Sequence, residues 1–287
     1  MSILQQLRDA AGKLNPSEVR EEADRDLTIR LKASSEPGYD AMFRYLIPPT
    51  LSTDRRRKAS SLVYLDGEPN PPKDVSLTIV EHGVPAEPDD FVFRPGREKQ
   101  LTQEILEARP KLALALARQF PPFREEYSRT LIRKTSTENA LFALATAIPN
   151  IAPFLGLIWS PGEFASSTAL LTLNQIRMIF LLGAANDRKV GYREQKSEIA
   201  TVITGAFGWR AIARELVGKI PAGGGLLPKA AIAYAGTWVV GSSVERFYRL
   251  GYAYTRSERS AAYSQAFEQG KDIVETFLKN VRRIRQK

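Results

Sequence analysis

Apolar and polar positions along this 287-residue chain change rhythm as it proceeds. Residues 1–25 hold a short amphipathic stretch, a break at Asn15-Pro16, and a second, charged helical stretch that Ser17 could cap. From residue 27 the period is two. Leu27-Thr-Ile-Arg-Leu alternates as a half-buried strand does, and Ser61-Leu-Val-Tyr-Leu, Val75-Ser-Leu-Thr-Ile-Val and Phe91-Val-Phe follow as further strands. Among them only Asp40–Leu46 reads as helix, and Gly67-Glu-Pro-Asn-Pro-Pro-Lys-Asp reads as loop. From Leu101 onward the spacing is helical throughout. Leu101 and Ile105, then Leu112, Leu116 and Phe120, then Phe123, Tyr127 and Leu131 form successive stripes. Pro110 suits the first turn of a new helix. Thr135 and Glu138 suit either a capping box or the interior of one continuous helix.

The second half is poor in charge. Asn139–Gly162 is a 24-residue uncharged run, long enough to cross a bilayer, yet Pro149 and Pro153 interrupt it around Asn150. That pattern predicts a helix, a break and a short apolar segment, as in a re-entrant hairpin or a buried corner. Phe164–Ala185 is the next apolar helix, carrying Arg177 with Asn174 and Gln175 beside it. Ser197–Val217 follows with Glu198, Arg210, Arg214 and Glu215, then a turn at Ile220–Lys229 built on Gly223, Gly224 and Gly225. Ala230–Val244 has no charge and is rich in small residues, so Ala231, Ala235, Gly236 and Gly241 are candidates for close helix packing. Asn174 and Gln175 need hydrogen-bond partners on other helices. The last helix, Ser260–Arg285, has an apolar stripe of Ile273, Phe277, Val281 and Ile284 and a basic end.

Charge sharpens this division. Residues 1–138 have 22 Lys plus Arg against 22 Asp plus Glu, residues 139–255 have 11 against 6, and residues 256–287 have 8 against 4. The whole net charge of +9 therefore lies beside the apolar runs, which favours anionic membrane lipid over nucleic acid as the partner. Arg177, Arg210, Arg214, Lys229, Arg282 and Arg283, with the Gly223–Gly225 turn, are the candidate lipid or partner contacts. The N-terminus is polar and lacks the apolar core of a signal peptide, so secretion is not expected.

Catalytic chemistry is scarce. Without cysteine there is no thiolate nucleophile or thiolate metal site, and a triad would have to use His82, the one histidine, in a Glu-His-Gly turn. Adjacent carboxylates such as Glu21-Glu22, Asp89-Asp90 and Glu125-Glu126 read as solvated faces.

Several segments match one family in order: Leu131-Ile-Arg-Lys-Thr with Asn139-Ala-Leu-Phe-Ala-Leu, Leu171-Thr-Leu-Asn-Gln-Ile-Arg-Met, Ala213-Arg-Glu-Leu-Val-Gly-Lys-Ile-Pro, and Pro228-Lys-Ala-Ala-Ile-Ala-Tyr-Ala-Gly-Thr-Trp-Val-Val-Gly. Together they resemble the YcjF-like bacterial membrane domain of unknown function, which often follows Era-type GTPase domains. The resemblance covers about half of the chain. It implies a helical, membrane-associated domain without known catalysis, preceded by a G domain. Here the corresponding α/β unit departs from a P-loop. Ala33 would stand for the first glycine, Gly38 for the second, Tyr39 for the lysine and Asp40 for the Mg²⁺-binding hydroxyl. Val80-Glu-His-Gly83 would replace D-x-x-G, with Val80 for the aspartate.

The expectation is an α+β protein. It comprises an N-terminal helical arm (1–26), a small degenerate G-domain-like α/β unit (27–98), a helical YcjF-like domain of membrane-associated hairpins (99–255) and a basic amphipathic C-terminal helix (256–287). Its expected role is non-enzymatic, without cofactor or metal, on the cytoplasmic side of a bacterial inner membrane or in the cytoplasm. It would serve as a scaffold, a partner of a GTPase, or a homo-oligomer. A weak nucleotide-binding switch and a soluble oligomeric scaffold are the rival readings.

Overall fold

The computed structural model describes residues 14–146, 167–202 and 226–285; the side chains of 167–169, 226–228, 282, 284 and 285 are outside the description. It is mostly helical with one small parallel sheet, an α+β fold. The chain divides into two compact units. One comprises Ser17–Arg129 and Gly183–Lys189; the other comprises Met1–Pro16, Thr130–Leu182 and Val190–Lys287.

The first is the sheet unit. It contains α1 (Pro16–Ala23, entering from its first residue), β1 (Ile29–Lys32), α2 (Glu36–Leu46), α3 (Thr53–Ser60), β2 (Val63–Leu65), β3 (Leu77–Glu81), β4 (Phe91–Phe93), α4 (Glu98–Ala108) and α5 (Ala113–Gln119). It also holds the beginning of α6 (Pro121–Ala145). The strand order is β2-β1-β3-β4, all parallel, with Leu31 opposite Leu65 and Ile79, and Ile79 opposite Phe91.

Alternation along the strands decides what each face meets. Ile29, Leu31, Leu77, Ile79 and Phe93 join Met42, Leu46, Ala59, Leu101, Ile105, Leu116, Phe120 and Phe123 in one apolar core, so every helix in that core packs on one face. The opposite face presents Arg30 and Lys32. Arg30 Nε donates to Thr78 Oγ1 at 3.2 Å and pairs with Asp66, while Lys32 Nζ reaches Glu87 at 3.0 Å and Asp90 at 3.4 Å. Asp66, Glu87 and Asp90 belong to the β2–β3 and β3–β4 connections. Right-handed crossovers put these two connections on the face opposite α2 and α3, and here they are loops where a doubly wound fold has helices.

The core also moves the domain boundary. Leu101, Ile105, Leu116, Phe120 and Phe123 pack with the strands, so the sheet unit runs to Arg129 rather than ending at residue 98. It also takes in residues 17–26, whose Val19 and Ala23 are buried. Three local expectations are corrected. The α2 helix begins at Glu36, because Ser35 caps it by accepting from the Gly38 N–H at 3.1 Å and Pro37 fits its first turn. The α1 helix begins at Pro16, so Ser17 lies inside it. Pro110 stands in the turn before α5, not in its first helical turn.

The second is the helical unit. It contains the rest of α6, most of α7 (Ser167–Ala185), a helical stretch at 196–202, α8 (Leu226–Leu250) and α9 (Arg256–Arg285). Thr135 and Glu138 lie within α6, which is continuous there. The α8–α9 hairpin turns at Gly251, whose positive φ of 86° closes α8. A capping box starts α9: the Thr255 N–H donates to Glu258 at 2.8 Å and the Glu258 N–H to Thr255 Oγ1 at 3.3 Å.

Candidate functional site

In open parallel sheets ligands bind beyond the strand C-termini where the order of connection reverses, which in this sheet lies between β1 and β3. The turn after β1 is Ala33-Ser34-Ser35, followed by the N-terminus of α2, whose unsatisfied N–H groups attract an anion. The anion present is the chain's own. Glu81, at the end of β3, accepts from the Ser34 N–H at 2.8 Å, from Ser34 Oγ at 2.9 Å and from Ser35 Oγ at 3.3 Å. The Ser34 N–H, with the serine hydroxyls, holds the Glu81 carboxyl below the usual carboxylate range.

This geometry places the P-loop-like positions. Ala33 is in the turn. Gly38, Tyr39 and Asp40 are in the first turns of α2, not in a phosphate-wrapping loop. A Cβ on Gly38 would collide with the Glu81 carboxylate and push it away. Tyr39 lies against the Phe43 ring at 5.7 Å and Asp40 pairs with Arg44 at 3.1 Å. Val80 is fully buried in β3, and Gly83 turns with a φ of 96°. Glu81 carries no sequence signal of its own role. Only the parallel pairing of β1 with β3 brings it to Ser34, 47 residues away.

A second polar group lies within the sheet unit, around its Gly183–Lys189 segment. Residues 183–188 form a helix-terminating Schellman turn: the Asp187 N–H donates to Ala184 O and the Arg188 N–H to Gly183 O, each at 2.9 Å. Asp187 takes the left-handed position usual for glycine, with a φ of 56°. Its carboxylate receives Arg118 at 2.9 Å and Arg55 at 3.8 Å, and Arg118 also pairs with Asp24. Arg124 donates to the carbonyls of Ala117, Arg118 and Ala185; burial, with Arg55 nearby, pulls its pKa down to about 10.

The helical unit buries a neutral network. Asn139 on α6 is fully buried and donates to Thr237 Oγ1 of α8 at 2.8 Å and to the Leu171 carbonyl of α7 at 3.3 Å. Asn174 donates to Asn139 Oδ1 at 2.8 Å and Gln175 donates to Thr237 Oγ1 at 3.0 Å. Asn174 and Gln175 thus bond between helices, with Asn139 and Thr237 as the partners the sequence did not single out. Ala231 and Ala235 are fully buried in the α8 core with Tyr263, Ala266 and Phe267 of α9. Gly236 is buried in α8. A Cβ on Gly241 would lie 2.9 Å from both Ile132 Cγ1 and Met178 Sδ, so small size is needed there.

The candidate lipid contacts are scattered. Arg177 is the exposed position on an otherwise largely buried stretch from Leu170 to Ala185. Burial pushes the nearby Glu138 carboxyl up, against the pull of Lys134 and Arg177. Lys229 is exposed in the first turns of α8, with Nζ 3.5 Å from Thr146 Oγ1 at the end of α6. Arg283 is exposed near the end of α9, and Arg282 lies in the same turn. Arg210, Arg214 and Gly223–Gly225 lie outside the described residues, as do Pro149 and Pro153. The α8 helix already begins at Leu226, so residues 226–229 belong to it rather than to the expected turn.

These contacts orient the bundle. The bonds from Asn139 to Leu171 and Asn174 place the end of α6 near the start of α7. Lys229 and Thr146 bring the start of α8 to the same end. A Cβ on Gly270 of α9 would meet Ala231 and Tyr234 of α8, so the C-terminal end of α9 also points there. One end of the helical unit thus collects residues 146, 167, 226 and 285.

Among the described residues no group of three or more His, Cys, Asp or Glu is arranged to hold a metal ion, and no helix is long and apolar enough to cross a membrane. Comparison with family models, with curated proteins and with solved structures gives no match.

Proposed function

We propose that the chain is a non-enzymatic, membrane-associated helical protein of the YcjF-like kind, whose sheet unit serves as an adaptor for a partner such as a GTPase and not as a nucleotide switch. The observation that carries the membrane half of this reading is the convergence at one end of the helical unit. The chain leaves and re-enters there around the uncharged Asn139–Gly162 run, and the basic end of α9 arrives at the same place. The adaptor half draws on Glu81, which holds the anion position where a phosphate would need the lysine that Tyr39 replaces. One observation favours a second reading, a soluble helical scaffold: α7 is surrounded on nearly every side from Leu170 to Ala185, as a bundle's central helix is.

Co-sedimentation of the full chain with phospholipid vesicles separates the two. The proposal expects pelleting with vesicles and release by detergent. A chain that stays in the supernatant with neutral and anionic vesicles alike is the soluble scaffold. Calorimetry with GTP tests the adaptor half, where heat showing micromolar affinity, about −8 kcal/mol, overturns it.

A further inference from the structure

With Gly270 level with Ala231 and Tyr234, α9 runs about nine residues, or ~13 Å, beyond the level of Leu226, the first described residue of α8. That extension has no acidic residue after Glu275, and Lys279, Arg282, Arg283, Arg285 and Lys287 follow. Lys279 and Arg283 are exposed and stand four apart on one face, while Val281 is buried and Phe277 and Leu278 are half-buried on the other side. Lys229 is exposed at the same end of the unit. Cations at a helix C-terminus complement its dipole, but that effect fades within the last turn, and Lys279 stands more than a turn earlier.

We infer that the extended end of α9, with Lys229, is a docking surface for anionic phospholipid; this rests on the membrane reading above. Ammonium and guanidinium groups on one helix face suit phosphate-bearing headgroups. Nucleic acid would use the same cations. Lipid is favoured because residues 146 and 167, which flank a segment with Glu163 as its single charge, come to this same end.

The test compares the full chain with Lys279→Glu/Arg283→Glu on phosphatidylcholine vesicles and on vesicles containing one third phosphatidylglycerol. Expected are a preference for anionic vesicles that salt weakens, a loss of roughly tenfold or more in the variant on anionic vesicles, and no change on neutral ones. Lys279→Gln/Arg283→Gln, which removes charge without adding repulsion, should fall between the two and guards against a variant that fails to fold. A variant equal to the wild type on anionic vesicles overturns the inference and leaves the membrane reading standing. Binding to neither vesicle overturns both. Tight binding to RNA or duplex DNA with vesicles ignored assigns the surface to nucleic acid and overturns the inference.

Discussion

The sheet unit holds a cluster of ion pairs at a partly exposed edge, whereas the helical unit buries a neutral hydrogen-bond network. In the first, Arg55, Arg118 and Arg124 gather around Asp24, Asp187 and four backbone carbonyls. In the second, Asn139, Asn174, Gln175 and Thr237 share hydrogen bonds with no formal charge among them. The first arrangement keeps an edge in water, where desolvation is incomplete. The second sits where a charge would be costly, whether protein or lipid surrounds the bundle. Acid and salt should therefore loosen the sheet unit first, and the helical unit should respond to changes in packing and hydrogen-bond count.

The largest effect is expected at Asn139→Ala. It strands Asn174 Nδ2 and removes the donors to Thr237 and Leu171, a loss of about 2–4 kcal/mol from the helical unit. Denaturant titration followed by tryptophan fluorescence reads it, and a midpoint unchanged from wild type would show that the network is not a fastening. Asp187→Ala should cost less, about 1–3 kcal/mol, because it removes the partner of Arg118 and forces alanine into a left-handed backbone. Asp187→Gly loses the same charge without the strain, so the gap between the two variants isolates the backbone share. If the two variants melt together, the φ of Asp187 stores nothing.

The smallest effect belongs to Glu81→Gln, and it sharpens the contrast by pH. A carboxyl held below its usual range in the folded chain adds stability that is fully present above the unfolded value, near pH 4.5. That share is lost as pH falls through the lower folded value. Glutamine should remove that part of the acid-limb slope, lie slightly below the wild type at neutral pH and converge with it in acid. Thermal melts across the acid range check this, and an identical acid slope in the variant would mean the Ser34 contact is not made in solution.

What was legible followed the physical range of each signal. Strand alternation marked all four strands within two residues of their starts, because each has one face in the core. The eight-residue α3, Thr-Asp-Arg-Arg-Arg-Lys-Ala-Ser, passed unseen because it buries only Ala59 and has no apolar period to read. The start of α2 was hidden by Pro37 and Gly38, which signal turns in isolation but fit a helix once Ser35 caps it. Asn174 and Gln175 announced themselves through the cost of burying amides, yet nothing local could name Thr237, which is 62 residues from Gln175. Glu81 was invisible for the same reason. The boundary at 98 failed because a change of period separates strands from helices, not one core from the next.

The distance between Asn139 and Thr237 also sets a timetable. Their bond spans 98 residues of chain, and residues emerge from the ribosome at about 5–20 per second. On the order of 5–20 s therefore passes between the synthesis of α6 and that of its partner on α8. Throughout that interval the Asn139 amide lacks its Thr237 acceptor, beside apolar faces of α6 and α7 that α8 and α9 will help to cover. The helical unit cannot finish folding as it is made. It must wait for its last third, and a chaperone or membrane surface that shields α6 and α7 would act in that window.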